Sequence, residues 1–150
     1  MWRMIHRPAD TTRTLDTRLG YLLVRTGIRV RQRYVNALSA IGLLPNQHVI
    51  LSTLNERGPS HQKEIADQIR LDSGDIVAYL DGLEKSGFIE RNRDPADRRR
   101  QIVSLTATGV DVLVVADTTL DTVEAETFAS LGRTERKALS ATLNTLYQNL

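Results

Sequence analysis

Cysteine is absent from the 150-residue chain. That one absence excludes a disulfide framework, a thiol redox switch, a cysteine nucleophile and a thiolate zinc site. No apolar run approaches the roughly 18 residues of a membrane-spanning helix, and the N-terminal stretch lacks the apolar region and small-residue cleavage site of a secretory signal. The expectation is a cytoplasmic protein with no membrane partner. Motifs of catalysis are missing too: there is no glycine-rich phosphate loop, no G-x-S-x-G and no paired histidine-glutamate motif, so an enzyme is not expected. His6, His48 and His61 are scattered, without the paired spacing of a zinc site, and neither metal nor cofactor is expected. Repeats and low-complexity segments are also lacking. Net charge is only +2, so composition alone does not announce a nucleic-acid binder.

What is present is an ordinary globular balance, 41% hydrophobic and 25% charged, in a length that suits one domain. The charge is unevenly spread. Residues 1–57 hold nine arginines against three acids, residues 58–105 eight bases against nine acids, and residues 106–150 three bases against six acids. Leu15, Leu19, Leu22, Leu23, Val30 and Tyr34 recur at helical spacing and predict a long first helix to about Leu38. Pro45 suits the first turn of a second helix with Val49, Ile50 and Leu54 on its apolar face, stopped by Gly58 and Pro59. Ser60 reads as the N-cap of a third helix facing Ile65, Ala66 and Ile69 inward. Asp72 or Ser73 reads as the cap of a fourth, with Ile76, Leu80 and Leu83 inward. A tight helix pair of this kind fits a helix-turn-helix whose second helix is offered to a DNA groove.

After Gly87 the period changes from helix to strand. Residues 88–91 and 101–105 alternate apolar and polar around a charged stretch, predicting a β-hairpin with a basic tip at Arg98, Arg99 and Arg100. Thr106 then caps a long fifth helix with Val110, Leu113, Val114 and Leu120 on its stripe. A last helix carries Leu139, Leu143, Leu146 and Leu150. The fold class is therefore mainly α with a small β-hairpin wing: a winged helix-turn-helix at about 45–105, flanked by dimerisation helices at about 13–40 and 107–150 of one domain spanning 1–150. Wide leucine stripes on both outer helices suggest packing across a two-fold axis, hence a homodimer.

Residues 58–109, and in particular residues 80–91 (LDGLEKSGFIER), 94–99 (DPADRR) and Leu105-Thr106 with Gly109, resemble the winged helix-turn-helix of MarR-type transcriptional regulators; the resemblance covers nearly the whole chain. It implies a homodimer formed by the first and last helices, recognition helices in successive major grooves of a near-palindromic operator, and wings reaching the flanking minor grooves. It further implies a small effector, often aromatic, bound between the dimerisation and DNA-binding regions and releasing the DNA. It assigns Asp97, with one of the first two wing arginines, to bracing the wing or entering the groove. Repression is the direction the resemblance favours.

Candidate DNA-binding residues follow. Arg98, Arg99 and Arg100 suit the enhanced negative potential of a narrow minor groove. Ser73, Gly74, Asp75, Val77 and Ala78 lie off the apolar stripe of the fourth helix. Asp75 departs from the family pattern, which often has hydroxyl or basic groups there; an acid can cap its own helix or accept from a cytosine amino group, but it repels phosphate. Ser60, His61, Gln62 and Lys63 open the preceding helix and are available to the backbone. Tyr21, Arg25, Arg29 and Tyr34 on the first helix are candidates for an aromatic or anionic effector, against the plainer alternative of packing residues and a solvated basic face. The rival to the regulator reading is a winged-helix protein-interaction module that has lost specific DNA binding; salt-dependent affinity distinguishes the two.

Overall fold

A computed structural model describes residues 14–71 and 73–150, with the Ser73 side chain left aside. The chain divides into two compact units, residues 1–32 and 33–150. A 3-10 turn at Leu15–Thr17 precedes α1 (Leu19–Ala40), so the first helix starts later than its leucine spacing predicts. There follow α2 (Pro45–Arg57), β1 (Ser60–His61), α3 (Gln62–Ile69), α4 (Ser73–Lys85), β2 (Ile89–Arg93), β3 (Gln101–Leu105), α5 (Ala107–Thr127) and α6 (Arg133–Gln148). The strands form one antiparallel sheet in the order β1-β3-β2.

In the second unit the core is aliphatic. Leu38 of α1, Leu43, Ile50, Leu51 and Leu54 around α2, Ile65 of α3, Ile76, Leu80 and Leu83 of α4, Ile89 and Val103 of the strands and Leu113 of α5 are all buried. The stripes of α3 and α4 thus face inward as expected. Two expectations need correction. Val49 on α2 and Val110 and Val114 on α5 are exposed; the buried face of α5 runs through Gly109, Leu113 and Ala116, one turn apart. The first half of α5 is apolar on several sides, so periodicity alone does not choose the face.

Ser60 is not the cap of α3. Its backbone pairs with Val103 in the sheet, its hydroxyl donates to the Gly58 carbonyl at 3.0 Å, and His61 takes the capping position. Glu64, three residues on, accepts from the His61 amide at 3.0 Å and satisfies one of the otherwise orphaned donors of that end. Of the two caps expected for α4, Asp72 and the Ser73 side chain lie outside what the structure describes.

The passage from α4 to the hairpin and on to α5 is one joint. Gly87 has φ +77°, and the Phe88 amide donates back to the Leu83 carbonyl at 3.0 Å with the Gly87 amide on Glu84 at 2.9 Å, closing the helix in a left-handed turn. The Thr106 hydroxyl donates to the Gly87 carbonyl at 2.6 Å and accepts from the Gly109 amide at 3.0 Å. Gly109 is there because the chain passes so close: a Cβ would collide with the Phe88 carbonyl oxygen. The Leu105-Thr106 and Gly109 signature is a packing requirement at this joint.

Candidate nucleic-acid interface

The hairpin is held in register from Ile89 opposite Leu105 to Arg93 opposite Gln101. Beyond it the tip folds on two aspartates. Asp94 Oδ1 accepts from the Ala96 amide at 2.8 Å, and Asp97 Oδ1 accepts from the Arg99 amide at 3.1 Å, each a side-chain turn of the kind aspartate favours. The Asp94 amide closes the loop on the Arg100 carbonyl at 3.0 Å. Asp97 also takes Arg99 Nε at 3.1 Å and lies 3.7 Å from Arg100 Nε, and its carboxyl is held below the usual range, chiefly by the Arg99 side chain. Arg98 is exposed, and its carbonyl accepts from Arg93 Nη1 at 3.2 Å. So Asp97 braces Arg99, and Arg98 projects from the tip with no ion pair among the described residues.

Between this tip and α3 lies a cleft of about 940 Å³, lined by His61, Gln62, Lys63, Glu64 and Asp67 on one side and Arg93 and Arg98 to Arg100 on the other, with Ile76 of α4 at its floor. The structure therefore brings His61, Gln62, Lys63 and the wing arginines to one place. Ser60 is only half exposed and engaged with Gly58. Gly74, Asp75, Val77 and Ala78 are exposed on α4, with Asp75 in the first turn.

What fixes this arrangement leaves no local pattern in the sequence. Arg91 of β2 reaches α4 by three bonds: Nη2 to Asp81 at 2.6 Å, Nη2 to Glu84 at 2.9 Å and Nε to Glu84 at 3.1 Å. The Glu84 carboxylate, then Asp81, hold the guanidinium protonated well above its ordinary value, and Arg91 in turn pulls Glu84 down. The bidentate grip ties the hairpin to the helix that would enter a major groove. His61 is likewise an internal partner: Nε2 lies 2.8 Å from Asp94 and Nδ1 3.4 Å from Glu64. An acid before a proline at a strand end marks a turn, but nothing in the spacing links Asp94 to a histidine 33 residues earlier.

Of the effector candidates, Tyr21, Arg25 and Arg29 lie in the first unit and Tyr34 in the second. Arg25 pairs with Asp16 at 3.3 Å. Burial, with the charge of Glu124 and a hydrogen bond to it, pushes the Tyr34 phenol up. His48 meets Asp117 at 2.9 Å and Ser52 at 3.4 Å through the same ring nitrogen, whereas a Ser-His-Asp relay needs opposite nitrogens. Among the described residues, no cluster of three His, Asp or Glu is placed to hold a metal, and no helix is long and apolar enough to cross a membrane. His6 lies outside the described residues.

The model of the MarR family matches residues 43–100. The solved transcriptional repressor CouR, bound to a 23-mer DNA duplex, superposes with a TM-score of 0.84 at 34% identity over 89% of this chain and 94% of that one. The chain belongs to the MarR family. A probable transcriptional regulator from Pseudomonas aeruginosa superposes at 0.80 with 29% identity, covering 89% of this chain and 99% of that one. Among curated relatives, the uncharacterised HTH-type transcriptional regulator YcgE of Bacillus subtilis is 39% identical over 87 residues, 57% of this chain and 56% of its own length. The chain thus matches about half the length of the first curated relatives, with 47% for YkoM of the same organism. All these relatives are transcriptional regulators by name, and the mainly helical fold with its small antiparallel sheet is the MarR winged helix.

Proposed function

We propose that this protein is a cytoplasmic DNA-binding repressor that acts as a homodimer on a near-palindromic duplex and is released by a small aromatic or anionic effector. The observation that carries the reading is the braced basic tip beside α3 and α4. Three exposed arginines stand on a loop stiffened by Asp94 and Asp97, across a cleft from the start of α3. Preorganised arginine on a narrow loop is what minor-groove insertion requires, and Lys63 with the backbone at the start of α3 serves the phosphates. The likeness to CouR in its DNA-bound form supports the same reading, and CouR has also been solved with p-coumaroyl-CoA, an aromatic anion. We assign Gly74, Asp75, Val77 and Ala78, with Ser73, to the major-groove face, and Tyr21, Arg25, Arg29 and Tyr34 to the effector. The winged helix-turn-helix spans about 45–105, and the helices at about 13–40 and 107–150 form the dimer.

The test is a titration against the intergenic DNA upstream of the protein's own gene, with scrambled competitor, at two salt concentrations. Specific binding that weakens as salt rises is expected. Replacing Arg98, Arg99 and Arg100 with alanine should lower operator affinity by about a hundredfold or more while leaving the dimer intact, on a scale of about 1–3 kcal/mol per specific contact. Unchanged affinity would remove the wing from the mechanism. A wild-type protein with no preference for any genomic fragment would favour a protein-interaction module, with Asp75 on its helix.

A further inference from the structure

His61 sits where β1 ends and α3 begins, and its ring lies between two carboxylates from different elements. Asp94, at the root of the wing tip, is 2.8 Å from Nε2; Glu64, in the first turn of α3, is 3.4 Å from Nδ1. A neutral imidazole donates from one nitrogen only and would turn a lone pair towards one of these oxygens. The imidazolium is held by both carboxylates, through the hydrogen bond at Nε2 and the ion pair at Nδ1, and it is the form that this geometry fits. Asp94 is also the residue on which the tip folds, through Ala96 and the Arg100 carbonyl. The contact between His61 and Asp94 therefore links the start of α3 directly to the arginine loop.

We propose that His61 is a positioning residue: clasped as an imidazolium between Asp94 and Glu64, it sets the wing against α3, so that the strength of DNA binding follows the proton on this ring. The proposal rests on the regulator reading above. The charged groups facing the ring come from both sides of the cleft, Lys63, Glu64 and Asp67 on α3 and Arg93, Asp94 and Arg100 on the hairpin, with the two other tip arginines beyond. The nearest of these are the two acids. The hydrogen bond to Asp94, then that to Glu64, raises the His61 ring above the ordinary histidine value, and His61 in turn holds Asp94 low. The raised direction means the clasp is complete below about 6.5, the ordinary histidine value, and is lost as pH rises through the raised one. Asp94 stays ionised across that window. A phosphate backbone brought to the cleft adds negative charge near the ring, so binding takes up a proton and affinity falls as pH rises.

The experiment joins two readouts on the full chain. In the DNA-free protein, long-range nitrogen NMR of the ring should show both His61 nitrogens protonated at the low end of the titration, with a midpoint above that of free histidine that falls in Asp94→Asn. Against a duplex selected by the wild-type protein, affinity should drop roughly fivefold or more from pH 6.5 to 9, the lower end of an ordinary coupling between two sites. His61→Gln, which still donates one hydrogen bond but cannot titrate, should lose this pH dependence whatever its absolute affinity. A ring that titrates at the ordinary value, or is indifferent to Asp94→Asn, overturns the clasp. Identical pH profiles for wild type and His61→Gln overturn its effect on DNA. Failure of the wild-type protein to bind duplex at any pH sinks the regulator reading instead, and the ring titration still decides the clasp.

Discussion

Helices α4 and α6 carry the same kind of apolar stripe, three large aliphatic residues at three- and four-residue steps, and meet opposite fates. On α4, Ile76, Leu80 and Leu83 are 0%, 0% and 1% exposed; on α6, Leu139, Leu143 and Leu146 are 37%, 40% and 41% exposed. No residue of α6 is buried. A helical period declares that a stripe wants cover, but it does not say what supplies it. For α4 the cover is the core of its own unit, where the helix is further tied to the hairpin by Arg91. For α6, within a single chain, the leucines keep about two-fifths of their surface in water. A second copy of the chain, whose own α6 has the same need, is the cover we propose.

The largest effect should come from charging the stripe of α6. Leu143→Glu with Leu146→Glu would place two carboxylates per chain in the proposed interface, each costing several kcal/mol if it stays buried. Sedimentation should show a monomer at micromolar concentration, and affinity for a two-half-site operator should collapse. The concentration dependence of the melting temperature that a dimer shows should vanish with it. A variant that remains dimeric would place the interface elsewhere and leave the exposure of α6 unexplained.

Leu80→Ala should act in the opposite manner. It empties a fully buried position in the core of the reading unit and should lower unfolding stability by about 2–5 kcal/mol in urea titrations, the range of such cavities. At concentrations where the folded form still dominates, the variant should remain a dimer. Loss of the dimer in folded Leu80→Ala would mean that the two stripes are not independent, and the contrast between α4 and α6 would fail.

The same contrast explains what could be read from the sequence. The inward faces of α3 and α4, the two strands of the hairpin with the arginines at its tip, and the cap at Thr106 are all local patterns, and local patterns survive folding when the core is close by. β1 has two residues, too few to show a period, and exists because β3 offers it an edge. Ser60 reads as a cap because serine often is one, yet that sheet edge claims its backbone. The grip of Arg91 on Asp81 and Glu84 and the clasp of His61 on Asp94 and Glu64 each join separate elements, and composition gives no hint of either. The site was thus legible as a set of exposed basic residues, and illegible as the internal ion pairs that hold those residues in place.

The smallest effect sharpens the comparison at the helix starts. Thr106 caps α5 with its own hydroxyl, accepting from the Gly109 amide, whereas α6 begins at Gly132, which has no side chain and relies on Glu135, whose carboxylate accepts from the Gly132 amide at 2.7 Å. Thr106→Ala should cost about 1 kcal/mol, as lost caps commonly do. The figure should lie at the upper end of that range, because the same hydroxyl also donates to Gly87 and so ties α5 to the end of α4. Thr106→Ser, which keeps the hydroxyl, should recover most of the loss. Glu135→Gln should change unfolding stability by no more than a few tenths of a kcal/mol, since a neutral amide still accepts and the site is exposed. Matched urea titrations of the three variants decide it. A loss at Glu135 equal to that at Thr106 would show that α6 shares the cooperative unit of α4 and α5 within one chain, and that the cover of its leucines contributes to stability before any partner arrives.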